Sequence, residues 1–241
     1  MIVTIHQPLY MPWLGYFQKM ASADVMVVLD AVSFSRGDYV NRNRIMGTSG
    51  SQFLTVPIKS FKLGTLINQI SIGGDEWKAL HLNSIQKSYI RTPFFKDYFP
   101  EITEIIQNHH ESSILNLDLN LINMFMKRLG ITTKMILQSE IEIFTNGSNL
   151  IHDICTYLRA DTYISGPQGI QYLNLPSFQK SAIDVLFQEY AHPIYNQNSS
   201  EFVSNLSLLD LLFRYGSESL DILLTRDSRM LSVDEKRGFN A

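Results

Sequence analysis

His6 and Gln7 close an apolar run, Met1–Ile5, and open a stretch holding two prolines, Pro8 and Pro12, and four aromatics, Tyr10, Trp13, Tyr16 and Phe17. An imidazole at a strand end can take or deliver a proton, and a carboxamide beside it can donate to a developing oxyanion. The prolines restrict φ along the exit path, so the polar pair is held rather than free. Tyr10 and Trp13 offer rings on which a base or sugar can stack. A lone His at a strand end equally serves only to satisfy backbone groups.

A second constellation is Asn41–Arg42–Asn43–Arg44. In an extended segment the two arginines share one face and the two asparagines the other. Paired guanidiniums form a fork for phosphate or carboxylate; they also make an ordinary solvated sheet edge. Ser165 and Gly166 begin "SGPQG", whose backbone N–H groups near a helix start suit an anion. Neither a P-loop nor a G-x-G-x-x-G fingerprint is present, so an ordinary turn fits as well. "HPIYNQ" repeats the composition of the opening, with His192 held before Pro193 and with Tyr195 and Gln197 following, although such an echo also arises by chance. No metal site is expected: H-e-x-x-H is absent and His152 with Cys155 makes a poor ligand pair. A G-x-S-x-G elbow is also missing.

These residues need elements to position them. Met1–Ile5 reads as a buried strand, Trp13–Ala21 as a helix that Pro12 can start, and Val25–Leu29 as a second strand closed by Asp30. Strand, helix and strand within thirty residues predict a βαβ unit with parallel strands. "YVNRNRI" and "QFLTVPI" flank the turn-rich "MGTSGS" as a hairpin. A strand is expected at Asn68–Ile72, and helices at Glu76–Tyr89, Pro93–Asn108 and Leu117–Leu129. Strands follow at Thr133–Leu137, Thr162–Ile164 and Asp184–Glu189, with a helix at Asn149–Arg159. Ser207 and Asp210 have capping-box spacing before a helix that Gly216 stops, and the chain beyond Arg226 is expected to fray. The fold class is α/β: a Rossmann-like, mostly parallel sheet with an added hairpin and a helical insertion over about 76–129, in one domain spanning 1–241. In such a sheet the carboxyl ends of the strands gather His6, Gln7, Asp30, Gln138–Glu140, Ser165 and Gly166 at one edge, where ligands bind.

Twenty basic against 23 acidic residues give a net charge of −3, which argues against a nucleic-acid coat. One cysteine, Cys155, precludes an internal disulfide, and no apolar run is long enough to span a bilayer; the expected location is the cytoplasm.

Taken in order and spacing, "HQPLYMPWLGYF", "NRNRI", "LTVP", "SGPQGIQYL", "HPIYNQ" and "LSLLDLLFRYG" make the chain resemble the WbqC-like family from Ile2 to about Gly216. Ser33 and Ser35 stand where the resemblance leads one to expect Gln and Lys, and Tyr39 where it leads one to expect Trp. The resemblance implies a setting among surface-glycan genes such as those for O-antigen, and the attachment of an amino acid such as glycine to a sugar amine. The substrates would be a nucleotide-linked amino sugar and a small acyl or amino-acid donor. In that reading Arg42 and Arg44 anchor the diphosphate, His6 or His192 with Asp30 as orienter serves as the base, and Gln7 or the "SGPQG" amides meet the oxyanion. Two other classes stay open: an ATP-using adenylate-forming or nucleotidyl-transferring enzyme, and a glycan-pathway binding protein without catalysis. No cofactor is evident, with ATP the one candidate.

Overall fold

The computed structural model describes residues 1–47, 50–225 and 227–239. Six strands form the main sheet: β1 (Ile2–His6), β2 (Val25–Val28), β5 (Lys134–Leu137), β6 (Thr162–Ser165), β7 (Asp184–Glu189) and β8 (Arg229–Leu231). Their spatial order is β5-β2-β1-β6-β7-β8, parallel throughout except for β8. Successive strands spread to one side of β1 as far as β5, then to the other side from β6. The order therefore reverses between β1 and β6, and a crevice opens at such a reversal.

Side chains of β1 alternate across the sheet, as the period of two demands. Val3 and Ile5 join the core beneath helices α5 (Gly147–Tyr157) and α6 (Leu175–Lys180). Thr4 and His6 point to the opposite face, where α1 (Leu14–Ala21) packs and the His6 ring meets the Tyr16 ring edge-on at 5.1 Å. That second face carries the larger core. It includes α2 (Glu76–Tyr89), α3 (Phe95–Gln107), α4 (Ile114–Leu129) and α7 (Leu208–Tyr215). Ser113 caps α4 by accepting from Asn116 N, and Gly130 ends it in the left-handed region at φ 70°.

The hairpin, β3 (Arg42–Gly47) with β4 (Gly50–Thr55), forms its own two-stranded sheet. It leans on α2, where Tyr89 Oη accepts from Met46 N at 2.9 Å and Ser88 Oγ donates to Met46 O at 2.6 Å. The turn residues Thr48 and Ser49 lie outside the described residues.

Three expectations need correction. Asn68–Ile72 is not a strand: Ile67–Gln69 is a single 3-10 turn, followed by isolated bridges from Ser71 to Ser113 and from Ile72 to Ile58. The carboxylate of Asp210 does not close a capping box, because Tyr195, Gln197 and Arg214 hold it. Residues 229–239 instead form β8 and α8 (Val233–Phe239); β8 pairs antiparallel with β7, and Lys236 reaches Glu189 at 2.6 Å. A three-residue strand is set by its partner's free edge and leaves too short a pattern to read.

One group in the larger core stands apart. Asp118 on α4 is fully buried, and among the described residues neither carboxylate oxygen has a hydrogen-bond partner. Burial pushes its pKa well above the usual carboxylate range, so the folded state keeps this proton to higher pH than the unfolded state, which releases it near 3.8. Stability is therefore lost as pH rises above the ordinary carboxylate value. Asp118→Leu is expected to stabilise the protein at pH 8 by about 1–3 kcal/mol in urea titrations; a destabilised variant would contradict an unpartnered carboxyl.

Candidate functional site

A cavity of about 510 Å³ opens beyond the carboxyl end of β1. His6, Gln7, Leu9 and Trp13 of the opening loop form one wall, Asn43 and Arg44 of β3 another, and Asp38, Tyr39 and Asn205 the rest. The three segments meet through backbone bonds. Tyr10 N donates to Tyr39 O at 3.0 Å, Ser207 N to Arg44 O at 2.8 Å, and Leu208 N to Pro12 O at 2.9 Å.

Asn43 ties the loop down. Its Nδ2 donates to Met11 O at 2.7 Å and Tyr10 O at 3.2 Å, while its Oδ1 accepts from Arg44 N at 2.8 Å. Met11 sits at φ 44°, an uncommon region for a non-glycine residue, and the paired donation from Asn43 to the Tyr10 and Met11 carbonyls is what offsets that strain. Gly15 has an equally specific reason. A Cβ there would lie 2.3 Å from the Trp13 ring, so only glycine lets the indole lie over the first turn of α1. The Trp13 ring also meets Tyr190 edge-on at 5.5 Å.

His6 Nδ1 lies 2.9 Å from Gln7 O. A carbonyl only accepts, so Nδ1 carries the hydrogen and Nε2 keeps its lone pair. Burial, then the charge of Lys19, lowers the His6 pKa to about 3 despite the bond to Gln7. Lys19, itself buried on α1 and lowered to about 8, reaches Ile5 O at 3.4 Å. The imidazole is thus neutral over the physiological range and acts as an acceptor.

The sequence leads one to expect Asp30 as the group that fixes this tautomer and raises the basicity of His6. The structure assigns the tautomer to Gln7 O, and the surroundings lower the pKa instead. Asp30 is buried and engaged elsewhere: it accepts from Ser139 N at 2.9 Å, Ser139 Oγ at 2.6 Å and Asn68 Nδ2 at 3.3 Å. It joins the ends of β2 and β5 to the 3-10 turn. Of the two rings expected to stack substrate, Trp13 lines the cavity, whereas Tyr10 is fully buried and donates to His81 Nδ1 at 2.9 Å.

Of the paired arginines, Arg44 lines the cavity and Arg42 flanks it, its guanidinium bonded to Gly37 O and lying 4.8 Å over the Phe53 ring. Among the described residues the Nε of each is buried without an acceptor.

Comparison with known proteins becomes informative at this point. Residues 7–222 match the WbqC-like protein family, a span that takes in every wall of the cavity except His6. The chain belongs to the WbqC-like family. It is 28% identical over 223 residues, 92% of this chain and 96% of the relative, to "uncharacterized protein Rv1507c" of Mycobacterium tuberculosis. No solved structure matches it.

In this WbqC-like protein the remaining candidates lie outside the cavity wall. Asn41 donates to Val56 O at 2.8 Å and holds the base of the hairpin. Ser165 and Gly166 end β6 beside β1, with the buried Ser165 Oγ packed against Gly169. His192 repeats the device of His6, its Nδ1 2.9 Å from Pro193 O, inside a cluster of Tyr190, Tyr195 and Phe202. Tyr195 and Gln197 donate to Asp210 Oδ2 at 2.9 and 3.1 Å, and Asp210 Oδ1 pairs with Arg214 at 3.1 Å. That buried network fixes the 192–207 loop, whose far end supplies Asn205. Asp38, Tyr39 and Asn205 escape sequence reasoning as lining residues because they reach the cavity only through loop packing. No helix among the described residues is long and apolar enough to cross a membrane, and no metal-competent cluster of side chains occurs among them.

Two tests follow from this geometry. Gly15→Ala must displace the indole, so in a Trp77→Phe background Trp13 emission is expected to shift to the red; unchanged emission would contradict the packing. His81 is lowered to about 4, chiefly by burial. Its unfolded value of 6.5 is higher, so the unfolded chain binds the proton first and stability falls as pH drops from 6.5 towards 4. The contribution is on the order of 3 kcal/mol. His81→Gln, which can keep partners for Tyr10 and Thr55, should flatten the acid limb of a urea-stability profile, and a parallel profile would refute the assignment.

Proposed function

We propose that the cavity binds a nucleotide-linked amino sugar and supports transfer of an acyl or aminoacyl group to its amine. The observation that carries this reading is the pairing across one cavity of a neutral acceptor, His6 Nε2, with a cation, Arg44, on the other wall. An amine donates an N–H to the imidazole, and a phosphate oxygen accepts from the guanidinium. Leu9 and Trp13 give the apolar wall that a sugar ring's C–H face covers.

A histidine lowered to about 3 does not strip an ammonium ion at equilibrium. Its role is to hold the neutral amine with the nitrogen lone pair aimed at the acyl carbon. As the C–N bond forms, the bond to the donor's leaving group breaks and the amine proton passes to water at the open mouth. Gln7, which lines the same wall, donates to the oxyanion in this reading. Asn43 positions the loop, while Asp30 ties the ends of β2 and β5 to the 3-10 turn. The resemblance to proteins of surface-glycan gene clusters supports the same substrate class.

Titration calorimetry with UDP- and dTDP-linked amino sugars is expected to show saturable binding that Arg44→Ala weakens by about 1.5–3 kcal/mol. Mass spectrometry of the incubated sugar should then show the mass of one added acyl group. Running the assay with and without ATP separates a pre-activated donor from one activated in place. Unchanged affinity in Arg44→Ala would overturn the anchor, and absence of binding by every amino-sugar nucleotide would overturn the reading.

A further inference from the structure

We propose that the outer face of the hairpin, formed by Tyr39, Phe53 and Arg42, is a stacking platform for the base of a nucleoside diphosphate whose phosphates lie against Arg42 and Arg44. The proposal rests on the reading above and names which part of that substrate leaves the cavity and where it goes.

The inner face of the hairpin is buried, with Asn43, Ile45 and Leu54 almost fully enclosed. The outer face is not. Phe53 is 49% exposed and Tyr39 40%, their rings 6.5 Å apart. Single exposed aromatics are common and need no explanation. These two are joined to charge: Arg42 lies 4.8 Å over Phe53, and Arg44 is the residue directly across the ladder from Phe53. Directly opposed side chains are about 5 Å apart at Cβ, so a phosphate on Arg44 and a ring on Phe53 can belong to one small ligand. Tyr39 makes the platform continuous with the site, since it lines the cavity and its carbonyl holds Tyr10 N at 3.0 Å.

The two guanidiniums choose the occupant. Arg42 and Arg44 are only half-buried, and both stand on the same face as Phe53. An apolar protein surface laid on Phe53 would strip water from these charged groups without replacing it, at a desolvation cost. A nucleoside diphosphate answers both features, with oxygens for the guanidiniums and a π-face for Phe53. Stacking tolerates every base because each has a π-face, so the platform adds affinity with little choice among uracil, thymine and adenine.

The test compares pyrophosphate, UDP, dTDP and ADP by titration calorimetry on the wild type, Phe53→Ala, Phe53→Leu, Tyr39→Ala and Arg44→Ala. The three nucleotides are expected to bind at least about tenfold more tightly than pyrophosphate, and within a few-fold of one another. Phe53→Ala and Phe53→Leu should erase that advantage while leaving pyrophosphate affinity unchanged; Leu keeps the apolar bulk, so it guards against a folding artefact. Tyr39→Ala should reduce the advantage in part. Arg44→Ala should weaken pyrophosphate and nucleotides alike. Nucleotides that bind no better than pyrophosphate, or an advantage that survives in both Phe53 variants, would overturn the platform. Loss of self-association in Phe53→Ala with nucleotide affinity intact would also overturn it, assigning the patch to contacts between copies. If the nucleotide advantage depends on Phe53 but Arg44→Ala changes nothing, the platform stands and the anchor fails.

Discussion

The side chain of Asn43 is the constraint on which the rest of the site depends. The opening loop must leave the sheet at the crossing between β1 and β6, turn through Met11 in a strained conformation, and begin α1 three residues later. Nothing in an isolated loop with two prolines favours that path. Two hydrogen bonds from one carboxamide on a neighbouring hairpin impose it, and the third bond, to Arg44 N, places the cationic residue at a fixed offset from the loop. Removing it would leave two carbonyls unpaired in a dry setting, a cost of about 1–3 kcal/mol for each buried group left unsatisfied. The cavity's two chemically distinct walls, imidazole and guanidinium, are thus registered by a single residue.

The electrostatics of the site follow from packing rather than from a carboxylate partner. His6 is enclosed by Tyr16 and by the buried amine of Lys19, and both effects oppose a positive imidazole. The carboxylate nearest in the strand order, on Asp30, is committed to Ser139 and Asn68 and stiffens the sheet edge instead. The outcome is an acceptor of defined tautomer, suited to orienting an N–H. A residue tuned near neutrality would suit proton abstraction better. This distinction turns the site from general-base chemistry towards positional control of an amine.

Much of this architecture is legible in the residues, for identifiable reasons. β1, β2 and β6 are short apolar runs with polar exits, and α2–α4 carry helical periodicity over more than two turns each, so local pattern and tertiary role agree. The parallel sheet places His6 and Gln7 at one edge and the same-face rule pairs Arg42 with Arg44, but contacts between the hairpin and the opening loop are what bring Arg44 to that edge. What is not legible depends on contacts between distant segments. Tyr10 belongs to the core because His81, 71 residues away, accepts its hydroxyl. Asn205 and Tyr39 reach the cavity through loop bonds to β3 and the opening loop. Asp210 looks like a helix cap until Tyr195, Gln197 and Arg214 are seen to surround it. β8 is defined only by the edge of β7.

The central claim, a neutral His6 whose Nε2 is the free acceptor facing an amine, is tested most directly by nitrogen-15 NMR of the histidine rings. The account predicts that His6 carries its hydrogen on Nδ1, stays uncharged from pH 8 down to 5, and shifts at Nε2 when an amino-sugar nucleotide is added. A His6 ring protonated at Nε2, or one that titrates near its ordinary 6.5, would contradict it.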